Sequence, residues 1–429
     1  MALSYLRRSY YCAWALVLWH LLGHEVWALA SDATTPAPAD ESAATLSAPP
    51  AVPVVYLYTV DPCSGGLPSY VPHALQQALL TQRDSEVVMA SNYNACDSIG
   101  RAVDAVPKQG GGGRVVKWDT SLHPSQKTLH FAGLADKLFE VTKGANGKES
   151  SSSSSSLWLQ SALRFFHLED LMRLRRYSEL FHVEADNLLY GSVASLLPQL
   201  RRGYAKGLAC TPLTASKNFF TASVLWVPGV DTLAHFTDFL LHIAHNDSGI
   251  FGEYVAWLTP YERRKQGTLM PRAINEMSMM GYYHHLYPLR LRPLPVLPDW
   301  PAYVLFKYVS NYTAVAPGGS EITGGPTGEG IWDPGSYGQF LGGTPTAPGP
   351  GRAFSDPKHI VGQALRMNEQ CRPAVRCGNA SWALRPACYS APYVRCGEGR
   401  GVPLWNLHVH SKKLHRYISR ECGCEGGDR

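Results

Sequence analysis

Hydrophobic and polar positions along the 429-residue chain fall into runs of two periods, and the order of those runs predicts an architecture. "VVYLYTV", Val54 to Val60, is a β-rich run bounded by the turn-forming "DPCSGG". "VPHALQQALLTQ" (71–82) has a helical pattern, and "EVVMAS" (86–91) is strand-like again. Strand, helix and strand at this spacing predict a βαβ unit, and with it a parallel sheet. "LWLQSALRFFHLEDLMRLRR" (157–176) places Leu159, Leu163, Phe166, Leu171 and Leu174 close to helical spacing. It leads into "RYSELFHVEADNLLYG" (176–191), where Phe181, Val183 and Ala185 alternate with His182, Glu184 and Asp186. "SVASLLPQL" (192–200) predicts a further helix, "FFTASVLWV" (219–227) a strand and "GVDTLAHFTDFLLHIAH" (229–245) an amphipathic helix. Near the C-terminus, "GVPLWNLHVHSKKLHRYIS" (401–419) repeats the strand design. Trp405, Leu407 and Val409 alternate there with Asn406, His408 and His410, and Ser411 is placed to cap a short helix. The expected fold is α/β, a Rossmann-like, mostly parallel sheet flanked by helices and spanning residues 54–429. "KQGGGGR" (108–114), Ser150 to Ser156 and the Gly/Pro/Thr-rich stretch 313–351 are expected to be inserts or loops.

The N-terminus changes the picture. Arg7 and Arg8 precede the apolar "YYCAWALVLWHLL", and Ala28 to Ala30 offer small residues at a cleavage-like spacing. Residues 1–30 are therefore expected to be a signal peptide or signal anchor, the apolar run falling short of the roughly 20 residues of a membrane span. Residues 31–53, rich in Ala, Pro and Ser, are expected to be a disordered stalk. Both agree with a chain that enters the secretory lumen, in the Golgi or ER or beyond it. Sequons at Asn246, Asn311 and Asn379 make N-glycans an expectation too. Six cysteines (Cys371, Cys377, Cys388, Cys396, Cys422 and Cys424) crowd the last sixty residues without the paired C-x2-C knuckles of a zinc site. A disulfide-rich segment over 370–429 is expected instead. Cys63 and Cys96 are a further possible pair, and the nine cysteines after Cys12 leave at least one without an intrachain partner. The net charge of +5 is small for this length and the basic residues are scattered, so a nucleic-acid partner gains no support.

Two stretches carry candidate chemistry. In Glu184-Ala185-Asp186, residues two apart on a strand project to one face, so both carboxylates can converge on one point. Ligands of open α/β sheets sit beyond the carboxyl ends of strands, where Asp186 and Asn187 fall. Two hard oxygen donors there suit Mn²⁺ or Mg²⁺. A solvated edge strand is the plainer reading of the acids alone. In "NLHVHSKK", either His408 or His410 can ligate a metal through a neutral ring nitrogen. A capped helix start with Lys412 and Lys413 would accept a phosphate or diphosphate. Taken together, one stretch offers anionic metal ligands and the other neutral ligands with phosphate-binding cations, as a metal-bridged diphosphate requires. Glu276 and Asp333 are candidates for a base that deprotonates an acceptor hydroxyl, with a solvated surface acid as the plain alternative for each.

An acidic x-D element ending a strand in an α/β domain behind a secretory signal resembles the DXD motif of type A fold glycosyltransferases. "RFFHLEDLM", "LFHVEADNLLYG", "WDPGSYGQFLGGT" and "NLHVHSK" are similar to lumenal proteins of that kind. The likeness extends coarsely from residue 54 to about 420, with specific residues around 164–191, 331–344 and 402–415. The resemblance implies Asp186 as metal ligand, Glu184 on ribose or metal, and Asn187 beside them. It implies a C-terminal histidine in the metal shell, His410 in preference to His408, and Lys412 on the diphosphate. The activity implied is metal-dependent transfer of a sugar from a nucleotide-sugar donor to a glycan, glycoprotein or lipid acceptor. The first acid is Glu rather than Asp, a departure from the motif. The competing expectations are a metallohydrolase using His408, His410 and Asp186, and a secreted binding protein that keeps the fold without catalysis.

Overall fold

A computed structural model describes residues 52–59, 66–95, 97–107, 115–140, 153–214, 216–245, 249–261, 274–297, 330–344, 359–362, 371–379, 388–396 and 401–422. The strands are β1 (Val54–Leu57), β2 (Val87–Ser91), β3 (Val115–Asp119), β4 (Leu180–Glu184), β5 (Asn187–Leu189), β6 (Leu208–Pro212), β7 (Phe220–Val227) and β8 (Leu291–Pro293). Between them run α1 (Tyr70–Thr81), α2 (Asp97–Asp104), α3 (Gln126–Glu140), α4 (Ser153–Arg175), α5 (Val193–Tyr204), α6 (Val230–His245), α7 (Ile250–Leu258) and α8 (Glu276–Leu286). A short α9 (Ser336–Gly342) precedes β9 (Cys371–Asn379), β10 (Cys388–Cys396), β11 (Val402–Pro403), β12 (Asn406–His408) and β13 (Glu421–Cys422).

Seven strands form one sheet in the order β3-β2-β1-β4-β7-β6-β8. β3, β2, β1 and β4 are mutually parallel, β7 runs antiparallel between β4 and β6, and β8 is parallel to β6. The sheet is mixed and mostly parallel, as the alternation of strand and helix patterns predicts. Period two along the strands feeds two separate cores. Val54 and Tyr56 of β1, with Phe181 and Val183 of β4, pack with α1, α2 and α5 on one face. Val55 and Leu180 pack with α3, α4, α6, α7 and α8 on the other. Strands covered on both sides carry nearly unbroken apolar runs, which is why all eight residues of β7 are buried. The Met-rich run of α8 is core, with Met279, Met280, Tyr282 and Tyr283 all buried.

Several expectations shift. Val52 is 4% exposed, and the Pro53 carbonyl accepts from the Phe181 amide at 3.0 Å. Ordered chain therefore reaches back into the expected stalk, because the start of β1 needs an anchor against β4. Residues 1–51, the rest of the stalk and the whole signal-like segment, lie outside the described residues. Ser153–Ser156 belong to the first turn of α4 rather than to an insert. β3 is a strand the hydrophobic pattern alone does not predict, since "VVKWD" is short and follows a glycine run.

Around the C-terminus, β9 and β10 form a long antiparallel hairpin flanked by β11 and β13. Cys377 and Cys422, 45 residues apart, are joined by a disulfide. Cys388 is also disulfide-bonded, and Cys371 stands directly across the hairpin from Cys396. Cys210 is a free, buried thiol. The suggested Cys63–Cys96 pair and the sequons at Asn246 and Asn311 fall outside the described residues, while Asn379 ends β9. Among the described residues no helix is long and apolar enough to cross a membrane.

Candidate functional site

β5 and β12 form a separate two-stranded ribbon, and this ribbon brings the two candidate stretches together. Its antiparallel register sets Leu407 opposite Leu188 and His408 opposite Asn187. β4 ends at Glu184, Ala185 and Asp186 make a turn, and β5 begins at Asn187. The two acids are thus not on one face of a continuous strand, as their spacing suggests. The turn swings Asp186 back, and the amide of Val409 holds its carbonyl at 3.0 Å. Convergence is achieved all the same. His408 Nε2 lies 3.1 Å from Asp186 Oδ2 and 3.4 Å from Glu184 Oε2. One ligand atom from each of Glu184, Asp186 and His408 lies within 4.8 Å of the others.

Charges alternate along a row that crosses this point. Lys412 Nζ bonds Asp186 Oδ2, His408 bridges Asp186 and Glu184, and Arg164 joins Glu184 to Glu276. Burial by itself would raise the Asp186 carboxyl, but His408 and Lys412 outweigh it and hold the group well below the usual carboxylate range. Glu184 is lowered too, burial being overcome by Arg164 and then His408. Burial would lower His408, yet Asp186 and Glu184 raise it. Two anionic oxygens and one imidazole nitrogen converge where Asp186 and His408 are buried and Glu184 is half-buried, and they fit a divalent cation that accepts oxygen and nitrogen ligands, Mn²⁺ before Mg²⁺. His408 Nδ1 is buried without a hydrogen-bond partner among the described residues, leaving Nε2 as the engaged nitrogen.

The remaining expected site residues separate by geometry. His410 does not join the three-donor cluster; its ring lies 4.4 Å from that of His408, tilted by 31°, and burial pushes its pKa down to about 3. The preference for His410 over His408 is therefore reversed. β12 ends at His408, and the chain has already turned away at His410. Asn187 is fully buried and uses both ends of its amide internally. Its Nδ2 donates to the Ser223 carbonyl at 2.9 Å, and its Oδ1 accepts from Asn406 Nδ2 at 3.1 Å. Its amide thus joins β5 to β7 and β12. Ser411 caps nothing, since its Oγ is buried without a partner among the described residues. Beyond it the chain makes only a three-residue 3₁₀ turn, Leu414–Arg416, with Lys413 at its cap position and no side-chain bond there. The expected phosphate site at a helix start thus reduces to the lysine side chains. Lys412 has a left-handed backbone (φ 60°) and passes over the Tyr70 ring at 5.4 Å on its way to Asp186.

Asp333 and Glu276, the candidate bases, are both engaged. Asp333 is fully buried and receives four backbone N–H groups, from Gly335 (2.8 Å) and Tyr337 (2.9 Å) on Oδ1 and from Gly338 (2.9 Å) and His408 (2.9 Å) on Oδ2. Burial raises its pKa, and those donors work against the rise. The carboxylate thereby ties the start of α9 to β12 and fixes the backbone of His408. Glu276 is the first residue of α8, 5% exposed, with Oε1 3.2 Å from Arg164 Nη2. Burial is the main reason its pKa rises to about 7, Arg164 opposing the shift. Asp333 thus has both oxygens occupied, whereas Glu276 Oε2 is buried without a hydrogen-bond partner among the described residues.

Three contributors are not evident from the sequence. Arg164 is one, although a lone charge within "SALRFFHL" is a signal that could have marked it. Asn406 is another; its amide spans Asp333 and Asn187, accepting from the Asp333 amide at 2.8 Å. Gly335 and Gly338 are the third. A Cβ on Gly338 would lie 1.9 Å from the His408 carbonyl oxygen, and one on Gly335 (φ 106°) would lie 2.5 Å from His410 Nε2. Close approach of α9 to β12 therefore demands glycine at 338, and the left-handed backbone favours it at 335.

No family model matches the chain, and no curated protein matches it. Among solved structures it is similar to mouse xyloside xylosyltransferase 1 in its apo form, at 10% identity and a TM-score of 0.34, over 60% of this chain and 91% of that one. It is also similar to the PaToxG glycosyltransferase, at 9% identity and a TM-score of 0.32, over 55% of this chain and 74% of that one. A third is the apo WbbM bifunctional glycosyltransferase, at 11% identity and a TM-score of 0.31, over 58% of this chain and 39% of that one. Overlap at this level leaves function to be argued from the side chains.

Proposed function

We propose that this chain is a divalent-metal-dependent glycosyltransferase, moving a sugar from a nucleotide-sugar donor to a glycan, glycoprotein or lipid acceptor in the secretory lumen. The observation that carries the reading is the convergence of Glu184, Asp186 and His408 within 4.8 Å beside the Lys412 ammonium. Glu184, Asp186 and His408 would hold Mn²⁺ or Mg²⁺, which when bound offsets the charge of the donor diphosphate. Lys412, 42% exposed at its side chain, exchanges Asp186 for a phosphate oxygen and stabilises the departing nucleoside diphosphate. Asp333 keeps the His408 backbone in place while this happens. The cluster lies at the carboxyl end of β4, where ligands of open α/β sheets bind. A lumenal setting is supported by the signal-like N-terminus and by the Cys377–Cys422 disulfide. The metallohydrolase alternative loses ground because it needs both histidines, and His410 stands apart from the cluster.

Calorimetric titration of the purified lumenal protein with UDP and GDP, with and without Mn²⁺, tests this. Metal-dependent binding that is lost in Asp186→Ala is the expected outcome. Zinc retained through dialysis with no nucleotide affinity would instead favour the hydrolase, and binding of neither would leave a non-catalytic protein. A screen of nucleotide sugars for Mn²⁺-stimulated hydrolysis then identifies the donor.

A further inference from the structure

Glu184 can serve a metal only if one carboxylate oxygen is held towards Asp186 and His408. Its two oxygens are divided in just this way. Oε1 is taken by Arg164 Nη1, and Oε2 faces His408 Nε2 at 3.4 Å. Arg164 is itself tied down on three sides. Nε donates to the Ser161 carbonyl at 2.9 Å, Nη1 to Glu184, and Nη2 to Glu276 Oε1 at 3.2 Å. Its side chain is 7% exposed, and the guanidinium carbon stands 5.6 Å from the Phe165 ring centroid. Glu276 is in turn anchored by a capping box. Asn275 Oδ1 accepts from the Ser278 amide at 3.0 Å, and Ser278 Oγ accepts from the Asn275 amide at 3.3 Å.

We propose that Arg164 is a positioning residue for the metal centre, aiming Glu184 by occupying one of its oxygens, with Glu276 bracing the guanidinium from α8. The proposal rests on the metal reading above and adds the group that orients one ligand. A buried charge triad is a poor stabiliser, since well-packed apolar residues of equal volume serve stability as well or better. What such a triad does supply is direction. A guanidinium presents its donors in a fixed planar fork, so three acceptors on three elements determine where the Glu184 carboxylate points. Lysine cannot replace it, because a single ammonium lacks the fork. Groups that orient a metal ligand this way commonly change metal affinity by about 10- to 100-fold when removed.

The test is titration of the full lumenal protein with Mn²⁺, free ion being followed by electron paramagnetic resonance and folding by circular dichroism. Arg164→Lys keeps the charge and is expected to weaken Mn²⁺ binding by about tenfold or more while the protein stays folded. Glu276→Met removes the brace without approaching the metal and is expected to weaken binding in the same direction. A folded Arg164→Lys protein with unchanged Mn²⁺ affinity overturns the proposal and leaves the metal reading standing. Should that variant not fold, Glu276→Met decides in the same way, unchanged affinity being the overturning result. If the unaltered protein binds no Mn²⁺, or binds it equally well as Asp186→Ala, the metal reading falls and this proposal with it.

Discussion

Asp333→Asn separates the two roles available to Asp333. The carboxylate is fully buried and accepts four backbone N–H groups, two on each oxygen. Asparagine has nearly the same shape but only one acceptor oxygen. If that oxygen keeps Gly335 and Tyr337, the NH₂ group is left facing the amides of Gly338 and His408, donor against donor. Each buried donor left without an acceptor costs about 1–3 kcal/mol, so the pair costs roughly 4 kcal/mol. Set against a total stability of about 5–15 kcal/mol, that is a large fraction. At roughly 2 °C per kcal/mol for a domain of this size, the melting temperature should fall by about 8 °C. Because one of the released amides belongs to His408, Mn²⁺ affinity should fall as well. Differential scanning calorimetry and Mn²⁺ titration of the same preparation measure both effects. The opposite pattern, activity abolished with melting temperature and Mn²⁺ affinity unchanged, would mean that Asp333 acts as a base and that the positioning role is wrong.

Glycine spacing and pH supply two more expectations. Gly338→Ala places a Cβ 1.9 Å from the His408 carbonyl oxygen, a backbone atom that cannot step aside. The overpacking should cost about 1–3 kcal/mol and weaken Mn²⁺ binding. Gly203→Ala in α5, where a Cβ meets nothing within 4 Å, should stabilise by about 0.5–1 kcal/mol and leave the metal untouched. Equal effects of the two on melting temperature would contradict the packing of α9 on β12. For Glu276, burial raises the folded pKa to about 7, above its ordinary value of 4.5. The folded chain then holds a proton that the unfolded chain releases, so this contribution is fully present below about pH 4.5 and is lost as pH rises through about 7. Glu276→Gln should therefore gain stability over the unaltered chain between pH 5 and pH 8, by an amount on the order of 3 kcal/mol. A difference that stays constant with pH, in denaturant titrations at both ends of that range, would refute the assignment.

How much of this was legible in the sequence can be followed element by element. β1, β2, β7 and α6 lie within the stretches that their periodicity marks, while α1 starts one residue early, α4 starts four residues early and α5 runs four residues on; a strand or helix that buries one face must repeat its apolar residues at that element's own period. β3 escapes this logic, since an edge strand of five residues after a glycine run has too few positions to show a period. The two motifs of the site were visible as motifs. Glu184 and Asp186 stand out as acids closing an apolar strand, and "NLHVHSKK" as histidines closing another. Their residue types already limited the chemistry to hard anionic oxygens, imidazole nitrogen and cations.

The choice among those residues belongs to the tertiary structure. Whether the acids share a face depended on a turn between β4 and β5, which alternation cannot reveal. Whether His408 or His410 joins them depended on where β12 stops, and that is set by its register with β5 and by the Asp333 carboxylate. Asp333, Asn187 and Glu276 carry functional groups that suit catalysis equally well on paper. Only their neighbours, four amides, two partner atoms of an amide network and one guanidinium, show them engaged elsewhere. By itself the sequence determined the period of each element and the inventory of donor atoms, because both are local properties of the chain. Which donors meet, and which are held by partners as distant as Asn406 is from Asn187 or Arg164 from Glu276, is a matter of tertiary contact, and only the folded chain decides it.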